Sequence, residues 1–148
     1  MSRAPLQILA LPFHRKQDDS LEYAIFKRSI GEFWQFISGG GEDDEKPIET
    51  ARREGFEEAQ IPPESNYSYL DTLNTIPVVG ITGKFTWGED VFVVPEHTFS
   101  VEIHDPNLII SDEHTEYRWV DYDTAVKMLK WDSNRNALWE LRERLRRG

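Results

Sequence analysis

The spacing of hydrophobic and polar residues divides the first part of the chain into two strands. Residues 6–13 (LQILALPF) are apolar and strand-like, and residues 14–20 form a polar turn. Residues 21–29 then alternate, with Tyr23 and Ile25 on one face and their neighbours on the other. Alternation with a period of two is typical of a half-buried strand, so the segment predicts a β-hairpin.

Three more segments have strand character. Residues 32–38 (EFWQFIS) form a short aromatic strand that runs into three consecutive glycines, and residues 67–76 resemble another strand. Residues 91–103 predict one strand, bent or bulged at Pro95 because proline cannot donate a ladder hydrogen bond. The glycine-rich stretch between these last two strands, residues 77–90, predicts a loop.

Residues 47–59 predict the only helix of the first half. Pro47 suits its first turn, where the missing N–H would have no partner. Small and medium side chains share one face of this helix, so it can pack closely on a sheet; they are Ile48, Ala51, Gly55 and Ala59. The two prolines after Ile61 cannot continue the helix and end it.

The last third predicts an acidic loop, a strand and a short helix over residues 111–131, followed by a C-terminal helix. Asp132 or Ser133 can cap that helix, and leucines at 138, 141 and 145 give it an apolar stripe. Strands therefore surround one central helix. We expect an α+β fold or mixed α/β sandwich in a single domain, residues 1–148.

Composition narrows the possible functions. The chain has 17 basic and 27 acidic residues and a formal charge of −10, which disfavours a nucleic-acid duplex as partner. The absence of cysteine excludes disulfides, thiolate zinc sites and a cysteine nucleophile. No segment approaches the roughly 18 consecutive apolar residues of a membrane span, and the N-terminus lacks a signal-peptide pattern. We expect a cytoplasmic protein that is a monomer or homodimer.

The acidic residues are concentrated on the central helix. Glu54, Glu57 and Glu58 share one face, where like charges repel and the helix dipole near the C-terminal end disfavours anions. Helix stability alone therefore does not explain them. Mg²⁺ prefers oxygen ligands, so a bound ion would turn the repulsion between these carboxylates into a favourable interaction. The competing interpretation is an ordinary solvated helix face; a calcium loop at 42–45 (EDDE) lacks EF-hand spacing.

The spacing around these glutamates supports the metal interpretation. Gly39, five residues, Glu45, seven residues, Arg53-Glu54, two residues, Glu57-Glu58 resembles the signature of the Nudix hydrolases. Two positions depart from that signature: Gly55 stands in place of an aliphatic residue and Gln60 in place of a glycine. Both departures concern packing and capping rather than the charged positions.

The resemblance implies a mixed-sheet α/β/α sandwich in which residues 39–61, called the box below, form a loop–helix–loop. It also implies roles for particular residues. It implies metal ligation by Glu54, Glu57, Glu58 and the carbonyl near Gly39, with Mg²⁺, or Mn²⁺ in its place. It assigns Arg53 to the catalytic group, paired with a structural Glu45. A base or ligand from outside the box is expected at Glu113, whose alternative is an acidic solvent loop.

Four residues before the box are candidates for substrate binding. Lys27 and Arg28 can hold phosphate, or can instead form salt bridges at a strand edge. Phe33 and Trp34 can stack on a purine or pterin ring, although one of them is expected to belong to the core. Trp87 is a weaker candidate of the same kind.

The expected function is therefore metal-dependent hydrolysis of a phosphoanhydride. Short segments such as 33–35, 113–121 and 131–138 are similar to a branch of the family that acts on nucleoside or pterin triphosphates. The alternatives are a dinucleoside polyphosphate or ADP-ribose hydrolase, and a non-catalytic module that only binds nucleotides. Loops outside the box determine the substrate in this family, so the sequence leaves these alternatives open.

Overall fold

A computed structural model describes residues 2–81 and 85–148 and shows a mixed β-sheet with helices on both faces. The strands are β1 (Arg3–Arg15), β2 (Leu21–Arg28), β3 (Trp34–Gln35), β4 (Ile37–Glu42), β5 (Tyr67–Pro77), β6 (Val93–Glu102) and β7 (His114–Val120). The helices are α1 (Pro47–Ala59), α2 (Tyr122–Met128) and α3 (Asp132–Arg147), with a 3₁₀ turn at Val78–Gly80. Residues 82–84 of the predicted loop lie outside the described residues.

Strand β1 is the centre of the sheet. The strand order is β3-β2-β1-β6-β5, with β4 also paired to β1 and β7 to β2. The β1–β6 pair is parallel, whereas the predicted β1–β2 hairpin is antiparallel, as are the other pairs. Residues on β1 alternate between two cores: Ile8 and Ala10 pack beneath α1, and Leu9 and Leu11 pack beneath α2 and α3. The expected α/β/α sandwich is confirmed.

Helix α1 has the bounds that the sequence predicts. At its start, the Glu49 carboxylate accepts a hydrogen bond from the backbone N–H of Lys46 at 2.8 Å. At its end, Gln60 takes the left-handed conformation, with φ 52° and ψ 34°, and donates its N–H to the carbonyl of Phe56. Glutamine thus occupies the cap position where glycine would have no steric penalty.

The glycine run is part of a strand rather than a loop after one. Gly39, Gly40 and Gly41 continue β4, which pairs with β1, and none of them has a positive φ. Their small size matters because other side chains approach the strand closely. A Cβ on Gly39 would lie 2.2 Å from the carboxyl carbon of Glu54, and one on Gly41 would lie 2.8 Å from Leu6.

Two further sequence predictions are wrong. Strand β6 keeps its register with β5 on both sides of Pro95, which pairs with Thr75, and the irregularity lies instead between Tyr69 and Leu73 of β5. Helix α3 begins at Asp132 without a side-chain cap, so neither Asp132 nor Ser133 caps it. The predicted leucine stripe of α3 does face the core.

Within the described ranges, no helix is long and apolar enough to cross a bilayer.

The β5 irregularity is stabilised from α3. Glu140 accepts hydrogen bonds from the backbone N–H groups of Asp71 and Thr72 and from the Thr72 hydroxyl, and it also pairs with Arg144 at 2.8 Å. These backbone donors lie where β5 and β6 change register, so the carboxylate supplies acceptors near the interrupted part of the ladder.

We expect Gly55→Ala to destabilise the protein, although alanine normally favours a helix interior by about 1 kcal/mol over glycine. A Cβ at this position would lie 2.1 Å from the Tyr67 hydroxyl, which is buried and has no hydrogen-bond partner in the described part of the chain. Tyr67→Phe removes that oxygen and should restore the benefit of alanine. A double-mutant cycle by urea denaturation measures this coupling, and additive effects of the two changes would contradict the proposed clash.

Glu140→Gln should lower the free energy of unfolding at pH 7 by about 1–2 kcal/mol. Burial raises the pKa of Glu140, but hydrogen bonds from Thr72 and Asp71 outweigh it and hold the pKa below its ordinary value of 4.5. A lowered carboxyl pKa stabilises the fold above pH 4.5 and less so as the pH falls. Urea denaturation should therefore show the difference at pH 7 and a smaller one at pH 4.

The matched control is Glu143→Gln on the same helix, where the carboxylate pairs with Arg142, Arg146 and Arg147. Such ion pairs contribute little, so this variant should change the unfolding free energy by less than about 0.5 kcal/mol. An equal loss in both variants would contradict the role of Glu140 at β5.

Candidate active site

Arg53 organises the start of the candidate site. Its guanidinium donates to both carboxylate oxygens of Glu45, at 2.8 and 3.0 Å, and to the carbonyl of Gly40 at 2.8 Å. It also contacts Glu54 at 2.9 Å and Glu42 at 2.9 Å. The expected pairing with Glu45 is present, and it connects α1 to the loop and to β4. Charge-assisted bonds of this kind hold a side chain in a defined geometry.

Glu54 and Glu58 lie under the helix, against the sheet. The side chain of Glu58 is 1 % exposed and neither of its carboxylate oxygens has a hydrogen-bond partner among the described residues. Burial, with the neighbouring Glu54 and Glu113, raises the pKa of Glu58 far above its ordinary value. Burial also raises the pKa of Glu54, although the positive charge of Arg53 opposes this. The positive charge near these two buried, adjacent carboxyl groups is thus too small to stabilise both in the ionised form.

The loop before β7 closes the other side of this pair. The N–H of Ser111 donates to the carbonyl of Glu58 at 3.1 Å, and Ser29 binds the carbonyls of Asp112 and Glu113. The loop is therefore attached both to α1 and to the end of β2. Glu113 lies near enough to Glu58 to raise its pKa, as the sequence prediction of a second acidic group requires.

His114 and Arg28 complete the surroundings of Glu58. The His114 imidazole is fully buried, 3.7 Å from a Glu58 oxygen, and burial followed by the charge of Arg28 lowers its pKa to about 4. It is therefore neutral at pH 7 and does not offset the carboxylate. The positive charge of Arg28 does oppose the rise in the pKa of Glu58. The prediction that Arg28 binds phosphate stays a prediction.

Glu57 differs from its two neighbours. Its side chain is 53 % exposed and its carboxylate contacts Arg53 at 3.2 Å. Among the described residues, no three His, Cys, Asp or Glu side chains converge in a geometry ready for a metal ion. The residues nevertheless fit one: Glu58 has two unsatisfied acceptors, Glu54 lies beside it, and Gly39 leaves the space into which Glu54 projects. Hard, carboxylate-binding ions suit such donors.

The aromatic candidates lie further along the sheet. The Arg118 guanidinium covers the Trp34 ring at 5.1 Å, and Trp34 packs against the α2–α3 core. Phe33 contacts the Trp131 ring edge-on, with 5.4 Å between centroids. Lys27 lies opposite Trp34 of β3 and Glu116 of β7 in the strand pairing. Trp87 stacks on Phe85. Their roles in substrate binding stay predictions.

A cavity of about 450 Å³ lies on the opposite face of the sheet from α1, and sequence reasoning missed it. Its wall comes from five parts of the chain, and the lining residues include Gln7, Gln35, Ser38, Ile76, Glu96 and Trp131. These polar residues carry no motif, and only the pairing of β1 with β4 and β6 brings them together. The sequence signal was weak: polar residues at inward positions of otherwise apolar strands.

Comparison with known proteins identifies the family. The model of the NUDIX domain matches residues 13–140. The dihydroneopterin triphosphate diphosphatase of Haemophilus influenzae is 30 % identical over 118 residues, covering 78 % of this chain and 75 % of that protein. A solved NUDIX hydrolase from Listeria monocytogenes is 36 % identical, with a TM-score of 0.86 over 97 % of this chain and 95 % of that one.

The solved dihydroneopterin triphosphate pyrophosphohydrolase of E. coli has the same fold, with a TM-score of 0.74, 22 % identity and coverage of 93 % of this chain and 94 % of that one. Hydrolases of this family generally use divalent metals such as Mg²⁺, which agrees with the unsatisfied carboxylate oxygens of Glu58 beside Glu54. The family match, the sandwich and the glutamate-bearing helix agree, and the chain belongs to the Nudix hydrolases.

Proposed function

We propose that this Nudix hydrolase cleaves a pterin or nucleoside triphosphate to the monophosphate and diphosphate, with Mg²⁺ as its ion. The observation that carries the proposal is the buried carboxylate of Glu58, which has no hydrogen-bond partner among the described residues and lies beside Glu54. A buried, uncompensated carboxylate costs several kcal/mol, so an unpaired one indicates a site for a cation. The names of the H. influenzae and E. coli relatives support the substrate class.

The proposed metal ligands are Glu54, Glu57, Glu58 and the carbonyl of Gly39, and Mn²⁺ is the alternative ion. When bound, the metal would acidify a water molecule and neutralise phosphoryl oxygens. Glu57 must first leave Arg53, which has four other acceptors and can release it. Arg53 therefore positions Glu54 while leaving Glu57 free to reorient.

Two groups of this chain can take the water proton. Glu113 lies near Glu58 on a loop whose backbone is attached to Ser29, so its position is defined while its side chain stays exposed. Glu54 is the alternative, because it lies beside Glu58 and burial raises its pKa. Arg28 and Lys27 at the end of β2 would hold phosphate. The single-domain organisation, the cytoplasmic location and the oligomeric state stay predictions.

Glu58→Gln should reduce kcat by about 10²- to 10³-fold while keeping the fold. Because the amide removes the cost of keeping a buried carboxyl group protonated that the unfolded chain would ionise, we expect the metal-free variant to melt at the same or a higher temperature than the wild type. Mg²⁺ should raise the melting temperature of the wild type, since ligands that bind only the native state stabilise it, and should have no such effect on the variant.

Glu57→Gln should lose activity to a similar degree but without the gain in metal-free stability, because Glu57 is exposed. Glu64→Gln, an exposed carboxylate just beyond α1, is the matched control and should behave like the wild type. Full activity in both Glu57→Gln and Glu58→Gln would exclude these two glutamates as metal ligands.

A substrate panel tests the reaction itself. Dihydroneopterin triphosphate, the four dNTPs, ADP-ribose and dinucleoside polyphosphates are incubated with Mg²⁺, and products are separated by ion-exchange chromatography. We expect diphosphate from the triphosphates and no release after EDTA. Hydrolysis confined to ADP-ribose or dinucleoside polyphosphates would favour those alternatives, and binding without hydrolysis would favour a non-catalytic module.

A further inference from the structure

One wall of the cavity opposite α1 consists of polar groups that satisfy one another. Gln35 accepts a hydrogen bond from the Trp131 indole at 3.2 Å and donates one to the Ser38 hydroxyl at 3.2 Å. Asn134 accepts from the backbone N–H of Phe36 at 2.8 Å and donates to Ser133. These bonds hold α3 against β3 and β4, so this wall of the cavity is rigid.

Glu96 is the exception. It is 6 % exposed, it lines the cavity from β6, and one of its carboxylate oxygens is buried with no hydrogen-bond partner among the described residues. Burial raises its pKa to about 7, although the neighbouring Asn74 opposes this. A buried carboxylate oxygen without a donor is costly to fold, so its presence at a rigid cavity wall indicates that a ligand supplies the missing donor.

The chemistry of Glu96 defines the ligand. An ionised carboxylate only accepts hydrogen bonds, and its two oxygens match two adjacent N–H donors on a planar ring. The 2-amino-4-oxopyrimidine ring shared by pterins and guanine offers such a pair. Adenine instead places an acceptor nitrogen beside its amino group, so a carboxylate would face a lone pair. Trp131 and Ile76 supply apolar surface for the ring.

We propose that Glu96 determines specificity by accepting two hydrogen bonds from the 2-amino-4-oxopyrimidine ring of a pterin or guanine triphosphate. The inference rests on the proposed function, because it names the part of the same substrate that lies away from the phosphates. The two regions lie on opposite faces of strand β4: Ser38 lines the cavity, and the next residue, Gly39, lies against Glu54. Among the described strands, β4 pairs only with β1, so an extended ligand that passes around its other edge can reach both faces.

The test compares guanine with adenine in the wild type and in Glu96→Gln. The wild type should hydrolyse dGTP with a higher kcat/KM than dATP. A glutamine amide offers one acceptor and one donor, which complements adenine. Glu96→Gln should therefore lower the dGTP-to-dATP ratio of kcat/KM by about tenfold to a hundredfold, and should weaken hydrolysis of dihydroneopterin triphosphate as well.

Glu102→Gln is the matched control, since Glu102 is on the same strand but outside this cavity, and it should leave the ratio unchanged. Thermal melting checks that Glu96→Gln is folded. If it does not melt cooperatively, Glu96→Asp decides the question, because it keeps the carboxylate and must keep the guanine preference. An unchanged ratio in folded Glu96→Gln, or an equal loss for both bases, would overturn the inference.

Calorimetric titration with dGMP and dAMP separates this inference from the proposed function, because binding needs no catalysis. Tighter binding of dGMP that depends on Glu96, in a protein that hydrolyses no triphosphate, would keep the inference and refute the proposed reaction. Triphosphate hydrolysis without discrimination between the two bases would keep the reaction and refute the role of Glu96.

Discussion

The hydrogen bonds of Arg53 are the constraint on which the site depends. One guanidinium connects the loop through Glu45, strand β4 through the Gly40 carbonyl, and its own helix through Glu54. Because Arg53 is mostly buried, each of these bonds is screened less than a surface ion pair would be. The arginine compensates the outer carboxylates but leaves Glu58 without a partner in the described part of the chain. The positive charge that remains missing is therefore localised at one buried position, next to the backbone of β4.

Strand β4 separates two kinds of chemistry. On the α1 side, Gly39 admits Glu54, and the unsatisfied groups are carboxylates that suit a divalent cation. On the α3 side, Ser38, Gln35 and Trp131 form a satisfied network around a cavity in which Glu96 alone of these residues lacks a partner for a buried oxygen. The alternation of a β-strand thus places the proposed metal site and the proposed ring site on opposite faces of β4. Under the proposed function, a bound cation would let this negatively charged protein bind a polyphosphate without a basic pocket.

Features with local causes were predictable from the sequence. The bounds of α1 follow from Pro47 and the prolines after Ile61, and the two faces of β2 follow from its alternation. The difference between Glu57 and Glu58 has a partly local cause, because adjacent helix residues are about 100° apart and Glu58 falls three positions after the buried Gly55. The 111–114 loop, which also covers Glu58, was not predictable from local pattern. Likewise, Pro95 suggested a bulge that the structure places in β5, where Glu140 of α3 supplies the acceptors. The Glu96 cavity requires parallel pairing between residues about 90 positions apart, which no local pattern encodes.

The central claim is that Glu54 and Glu58 bind a divalent cation that the protein requires for hydrolysis. Anomalous diffraction from crystals soaked in Mn²⁺ tests it most directly, because manganese is distinguishable from water and accepts the same carboxylate ligands. The account predicts an anomalous peak between the carboxylates of Glu54 and Glu58, close to the Gly39 carbonyl, with Glu57 turned away from Arg53. Peaks confined to the exposed acidic surface, with Glu58 still buried and without a ligand, would contradict it.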